Sequence, residues 1–186
     1  MKVGLFFGSF NPIHTGHLII ANHIANYYVD QVWFIISPQN PFKSARDLLK
    51  AEARLSLVKI AIEKDDRFKA SDIEFKLPVP SYTIDTLTIL SKQYRDCEFF
   101  IVLGSDNYNE ISKWKSAEEI TSNYKFLIYE RPGFSISKLN SGYINDSPLL
   151  NISSTKIRNL IREDKSFKYL VPECVHEAIK KNGYFK

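Results

Sequence analysis

Lys2-Val3-Gly4-Leu5-Phe6-Phe7-Gly8-Ser9-Phe10-Asn11-Pro12-Ile13-His14-Thr15-Gly16-His17 decides how the chain is to be read. Lys2 to Gly8 is a largely apolar run, as expected of a strand covered on both faces. Directly after it comes a short turn, and then an amphipathic stretch from Gly16 to Tyr28 with helical spacing. Strand, turn and helix in this order form the first βα unit of a parallel sheet. Ligands of such sheets bind beyond the carboxyl ends of the strands, where the βα turn offers backbone N–H groups and a helix dipole to a phosphate. Gly8 is expected to allow close backbone approach. Gly16 keeps the helix start free of a side chain, so that His14 and His17, three apart, both face the bound anion.

Outward from this unit the same alternation continues. Gln31 to Ser37, Cys97 to Gly104 and Tyr124 to Glu130 read as buried strands, with a further one around Phe68 to Ser71. Ala51 to Lys64, Thr83 to Tyr94 and Pro172 to Lys181 read as helices. In Ala51 to Lys64, Leu55, Val58 and Ile62 set the apolar face, and Leu57, Ile60 and Ala61 widen it, so this helix is expected to be broadly buried. Pro38, Pro41, Pro78, Pro80, Pro132 and Pro148 fall in the gaps. The pattern predicts an α/β, Rossmann-like, doubly wound parallel sheet with helices on both faces. No repeat or low-complexity linker interrupts it, so residues 1–186 are expected to be a single domain.

Composition narrows the function. The chain has 186 residues, 25 Lys plus Arg against 21 Asp plus Glu, a net charge of +4 and two cysteines. A chain of this length buries roughly 70% of its unfolded surface without staples. Cys97 and Cys174 stand far apart with no CxxC, so neither a disulfide framework nor a thiolate zinc cluster is expected, and two free thiols suit a reducing cytoplasm. The apolar start is too short for a signal peptide, and no stretch approaches the roughly 20 apolar residues of a membrane span. The basic residues are scattered, and Glu163 and Asp164 interrupt the densest run from Lys156 to Lys168. That argues against nucleic acid and membrane partners and for small anionic substrates, with self-association left open.

The histidine pair has bland explanations to overcome. Zinc needs a third ligand, and His23 lies six positions past His17 on another face of the helix, with no HExxH pattern. Helix capping by one histidine accounts for neither the pair nor the glycines, and no Walker A loop occurs. A second phosphate-ready helix start follows in Ile152-Ser153-Ser154-Thr155-Lys156-Ile157-Arg158. Ser153 or Ser154 can cap that helix, and Arg158 can reach back toward an anion at its start.

Together, His14-Thr15-Gly16-His17 preceded by Gly8-Ser9-Phe10, and Ile152 to Arg158, resemble the nucleotidyltransferase superfamily, specifically bacterial nicotinate-nucleotide adenylyltransferases. Pro80-Ser81-Tyr82-Thr83, Gly104-Ser105-Asp106, Trp114, Glu130-Arg131-Pro132-Gly133 and the Val171-Pro172 to Gly183-Tyr184 ending match in order and spacing. The resemblance implies a nucleotidyltransferase-type fold that transfers AMP from ATP to nicotinate mononucleotide, releasing nicotinate adenine dinucleotide and pyrophosphate in NAD biosynthesis. It implies His14, His17 and Arg158 as catalytic residues on the phosphates. It lays the ATP along Gly8, Ser9, Phe10, Gly104, Asp106, Ile152, Ser153 and Ser154, with Asp106 as ribose partner. Lys43, Thr83, Trp114 and Arg131 fall to the mononucleotide, Trp114 at the pyridine ring. Mg²⁺ is expected to be held by substrate phosphates, with no protein side chain as ligand. Two positions depart from the family pattern: Phe42 replaces a common histidine in Pro41-Phe42-Lys43, and Lys115 follows Trp114 where an aromatic residue is frequent.

Rival readings keep the pocket and change its use. A phosphopantetheine or cytidylyl transferase is disfavoured by Trp114 and Pro80 to Thr83, while nicotinamide mononucleotide stays as an alternative acceptor. An aminoacyl-tRNA synthetase is disfavoured by the short chain, and a non-catalytic nucleotide sensor by the intact His14, His17 and Arg158.

Overall fold

A computed structural model describes residues 1–39, 48–134, 136, 142–144 and 146–186. Six strands form one parallel sheet: β1 (Lys2–Gly8), β2 (Gln31–Ile36), β3 (Phe68–Ser71), β4 (Glu98–Gly104), β5 (Lys125–Tyr129) and β6 (Tyr143–Ile144), in the order β3-β2-β1-β4-β5-β6. This is the expected doubly wound sheet, and β1 in its middle is hydrogen-bonded on both sides. In β2 every residue from Val32 to Ile36 is buried, as a strand with helices above and below requires. The two-residue β6 was not anticipated; it is too short to carry an alternating or apolar signature.

The helices are α1 (Thr15–Tyr27), α2 (Ala51–Ile62), α3 (Thr83–Gln93), α4 (Ser105–Tyr108), α5 (Ala117–Asn123), α6 (Ser154–Arg162) and α7 (Glu173–Asn182). Alternate residues of each strand divide the core. Phe6 and Phe34 belong to a cluster with Ile20 and Ile24 of α1, Leu57 and Val58 of α2, Ile157 of α6 and Val175 of α7. Leu5 and Ile101 face the other way, onto Leu87 and Leu90 of α3 and Ile120 of α5. No helix among the described residues is long and apolar enough to cross a membrane.

One expected face is corrected. In α2 the buried residues are Arg54, Leu57, Val58 and Ile62, while Leu55 is only half-buried. An arginine occupies the apolar face because backbone carbonyls arriving from elsewhere in the fold surround its guanidinium.

The strand order reverses between β1 and β4, so the chain leaves these neighbouring strands in opposite directions and opens a crevice at their carboxyl ends. Phe34 supports its floor. Its ring is fully buried and lies 5.7 Å from Phe6, 5.4 Å from Phe10 and 5.9 Å from Phe68. Truncating such a ring removes its burial and leaves a cavity. Phe34→Ala is expected to cost about 3–5 kcal/mol in urea unfolding, a loss readily measured against wild type.

Candidate active site

His14 is the N-cap of α1, a place usually held by Ser, Thr, Asp or Asn. The His17 backbone N–H donates to His14 Nδ1 at 3.3 Å, and the His14 backbone N–H donates to His17 Nδ1 at the same distance. The two imidazoles therefore form a reciprocal capping box, stacked with centroids 3.6 Å apart and planes 18° from parallel. Because a backbone N–H can only donate, both Nδ1 atoms must be unprotonated. Each ring is left with Nε2–H as its donor. Gly16 leaves room beside them: a Cβ there would lie 3.1 Å from His14 Nδ1, tighter than an ordinary contact. The edges of Phe6 and Phe10, at 5.9 and 5.1 Å, hold the His17 ring.

His14 is only 3% exposed. Burial, with the nearby Arg131 charge adding, holds its imidazole down to about 3 against an ordinary 6.5, although its backbone hydrogen bond pulls the other way. It is a neutral donor across the physiological range.

Opposite this pair stands the start of α6. Ser153 is its N-cap, accepting from Lys156 N–H at 3.2 Å. The Ser154 hydroxyl instead donates to the Pro12 carbonyl at 2.8 Å, tying α6 to the β1–α1 turn. Arg158 donates from Nη1 to the Asn11 carbonyl at 2.9 Å and from Nη2 to Thr155 Oγ1 at 3.4 Å. His14, His17, Ser153, Ser154 and Arg158 thus line one cleft, together with Asp106 and Arg131.

The glycine positions serve packing within the protein. The space beside Gly8 is filled by Phe10, whose ring would meet a Cβ at 2.8 Å, and that ring is core, 2% exposed. Phe10 reaches the cleft as backbone, in a left-handed conformation with φ of 45°. Beside Gly104, Asp106 Oδ1 lies 2.5 Å from where a Cβ would stand and Arg131 Cγ 2.7 Å. Arg131 Nε is 3.8 Å from Asp106 Oδ2. Arg131 therefore stands with Asp106 and His14, apart from the Thr83–Trp114 pocket. Ile152 closes a small recess with Gly16, Arg131 and Leu150.

Thr83 and Trp114 meet in a second, more apolar pocket that shares Phe6, Phe7, Gly8, Ser9, Asn107 and Tyr129 with the cleft. Trp114 is half-buried, packed on the α3 side of the core with the rest of its ring in the pocket. Lys115 bridges to Asp85 at 3.0 Å and lies 4.7 Å from the centroid of Tyr82. Lys43, with Pro41 and Phe42, lies outside the described residues.

Sequence reasoning missed four polar groups here. Tyr129, 7% exposed, lines both pockets, and burial pushes its phenol up, so it stays protonated. Glu74 is buried and accepts from Ser81 Oγ at 2.7 Å and Thr86 Oγ1 at 2.9 Å. Asn11, also buried, accepts from Leu49 N–H at 3.1 Å. Arg54 is fully buried behind the β1 turn. Only Tyr129, near the end of an expected strand, was within reach of the sequence pattern; the others depend on partners that periodicity does not show.

With this geometry in place, a family model described as cytidylyltransferase-like matches residues 5–160. The chain belongs to the cytidylyltransferase-like family. Within it, a protein of Cytophaga hutchinsonii described as a probable nicotinate-nucleotide adenylyltransferase is 47% identical over 189 residues, covering 100% of this chain and 98% of its own. A Bacteroides fragilis protein of the same description is 46% identical, covering 96% and 90%. The solved nicotinic acid mononucleotide adenylyltransferase of Plasmodium falciparum, complexed with NaAD, superposes with a TM-score of 0.83 at 22% identity, covering 99% of this chain and 97% of that one. That likeness bears out the fold. Members of the cytidylyltransferase-like family are nucleotidyltransferases, which agrees with a cleft whose facing donors are imidazole, hydroxyl and guanidinium groups.

The depressed His14 group makes a thermodynamic prediction. Below about pH 6.5 the unfolded chain protonates this imidazole and the folded chain does not, so its contribution to stability is lost as pH falls toward 3. Between pH 7.5 and pH 5 the loss from this group is about 2 kcal/mol. His14→Gln is expected to remove that increment, measured by urea unfolding of both proteins at the two pH values.

Proposed function

We propose that residues 1–186 act as one catalytic domain that transfers the adenylyl group of ATP to nicotinate mononucleotide, yielding nicotinate adenine dinucleotide and pyrophosphate. The observation that carries this reading is that a donor-lined cleft and a more apolar pocket share one wall, formed by Phe6, Phe7, Gly8, Ser9, Asn107 and Tyr129. Two substrates bound there meet at their phosphates.

A 5′-phosphate oxygen of the mononucleotide attacks the α-phosphorus of ATP. The new P–O bond forms as the bond to the β-phosphate oxygen breaks, and pyrophosphate leaves. The nucleophile is already ionised, so no general base is required. The protein's task is alignment and stabilisation of charge on the phosphoryl oxygens. His17 serves the α-phosphate through Nε2–H. His14 and Arg158 serve the phosphate chain, joined by Ser153 and Ser154 at the start of α6. Asp106 accepts from ribose hydroxyls, and Gly104, Ile152 and the backbone of Gly8 to Phe10 line the adenosine. Arg131, beside Asp106 and His14, is better placed for ATP than for the acceptor phosphate; Lys43 retains the latter role.

The cleft's N–H and O–H donors suit phosphate oxygens directly, and Asp106 is the carboxylate in its described lining. That donor set fits Mg²⁺ entering on the phosphates of ATP, where it would neutralise charge on the bridging oxygens.

Nicotinate stacks on Trp114. At the start of α3, the N–H groups of Asp85 and Thr86 are taken by the Tyr82 carbonyl, and Tyr82 makes no side-chain cap. The Thr83 and Ile84 amides, with the helix dipole behind them, suit a pyridine carboxylate better than an amide. The free thiols of Cys97 and Cys174 fit a reducing compartment such as the cytoplasm.

Pyrophosphate release with ATP, Mg²⁺ and a panel of acceptor phosphates tests the reading. Nicotinate mononucleotide is expected to be the preferred acceptor, and equal kcat/KM for the amide mononucleotide would refute the acid-specific part. His17→Ala should lower kcat by about 10²- to 10³-fold with the fold intact. Trp114→Ala should raise KM for nicotinate mononucleotide roughly tenfold with KM for ATP little changed.

A further inference from the structure

The mechanism leaves a fully buried arginine unused. Arg54 of α2 is fully buried, beside Leu57 and Val58 in the same core. Its guanidinium donates only to carbonyls among the described residues: Nε to Leu49 at 2.9 Å, Nη1 to Ser9 at 2.6 Å and Ser37 at 2.8 Å, and Nη2 to Pro38 at 2.7 Å. Burial brings it down to about 10, with Glu52 opposing, so it is charged at neutral pH. A charge taken from water without a counter-charge is costly, and an apolar side chain of the same volume would serve packing at least as well. What Arg54 does is therefore to be sought in the backbone it holds.

Three of those four carbonyls lie just beyond two strands that end at the cleft. Ser9 follows β1, and Ser37 and Pro38 follow β2. Ser9 and Ser37 line the acceptor pocket, and Ser9 lines the phosphate cleft as well. The peptide unit is planar and trans-like in geometry, so turning the Ser9 carbonyl inward onto Arg54 turns the Phe10 N–H outward. Phe10 itself sits at φ 45°, a left-handed conformation that costs on the order of 1–2 kcal/mol for a side-chain-bearing residue and persists only where its surroundings enforce it. A second thread leaves the same guanidinium. Leu49, whose carbonyl Arg54 holds, donates its N–H to Asn11 Oδ1 at 3.1 Å, and the Asn11 carbonyl accepts from Arg158 Nη1 at 2.9 Å.

We propose that Arg54 is a positioning residue for adenylyl transfer: its buried guanidinium clamps the ends of β1 and β2, holding the Ser9–Phe10 turn and, through Leu49 and Asn11, the phosphate-facing Arg158. The proposal rests on the adenylyl-transfer reading for its kinetic test. Lysine at this position keeps the charge but has three N–H bonds for four carbonyls and no planar fork, so the turn relaxes. A displacement of about 1 Å at reacting groups costs on the order of 10²-fold.

The test compares wild type, Arg54→Lys and Leu57→Ala, the last a destabilised control on the same helix whose aliphatic side chain can hydrogen-bond neither turn. Assays run below the melting temperature of each. Arg54→Lys is expected to lower kcat about 100-fold and raise the Kd for ATP about tenfold, whereas Leu57→Ala keeps both within twofold despite a lower Tm. Arg54→Lys within twofold of wild type, or equal losses in the two variants, would make Arg54 a structural residue only. Should Arg54→Lys not fold, Asn11→Ala cuts the second thread and is judged by the same two outcomes. Equilibrium ATP binding needs no acceptor, so it still decides the role of Arg54 if wild type fails to use nicotinate mononucleotide.

Discussion

A strand in the middle of a parallel sheet has to release its backbone into a buried turn, and every N–H and C=O set loose there needs a partner. β1 is paired with β4 as far as Phe6 and with β2 as far as Gly8, and the chain then starts α1 at Thr15. Between Gly8 and Thr15 there is no regular ladder. The Gly8 carbonyl takes Ser37 N–H at 3.0 Å, Ser9 and Asn11 carbonyls take arginines from α2 and α6, and the Pro12 carbonyl takes Ser154. His14 and His17 absorb each other's amides. Since an unpaired buried polar group costs about 1–3 kcal/mol, this turn can exist only with those contributions from both ends of the chain. α2, α6 and the first βα unit are thereby fixed relative to one another at the point where phosphates would sit.

The same satisfaction of hydrogen bonds determines the electrostatics of the cleft. Histidine is often assumed to meet a phosphate as a cation. Here the capping box occupies both Nδ1 atoms, and burial keeps His14 neutral far below physiological pH. Formal positive charge in the cleft comes from Arg131 and Arg158. Neutral imidazoles held by the backbone contribute directed N–H bonds that need no reorganisation as charge builds up, which is where preorganised donors are most effective.

Much of this was legible in the sequence and the rest was not, for physical reasons. β1, β2, β4 and β5 announced themselves because strands covered on both faces are continuous apolar runs; the observed ends moved by about a residue where capping took over, as at Ile36 and Lys125. The histidine pair and the serine cluster marked two helix starts, but not which serine caps: Ser153 does, while Ser154 is tied to Pro12. Arg54 was invisible because helical periodicity places an arginine on the solvent side by default, and its acceptors lie up to 45 residues away. Glu74 was hidden for the same reason, its partners being Ser81 and Thr86. Contacts made by one side chain with distant backbone leave no periodic trace.

Glu74 bears on acid recognition in the acceptor pocket. Ser81 and Thr86 stand just before the N-cap and in the second turn of α3, the two positions that a hydrophobic staple normally joins. Glu74 joins them through hydroxyl donors and so sets the angle at which α3 enters, and with it the aim of the Thr83 and Ile84 amides. Lys115, at first sight the better partner for a carboxylate, is exposed and already bonded to Asp85 through both carboxylate oxygens, at 3.0 and 3.1 Å. An exposed charge engaged in this way is worth at most about 1 kcal/mol, whereas a helix start in a partly buried site reaches about 2. The proposed preference for an acid over an amide would therefore draw on the backbone of α3 more than on Lys115.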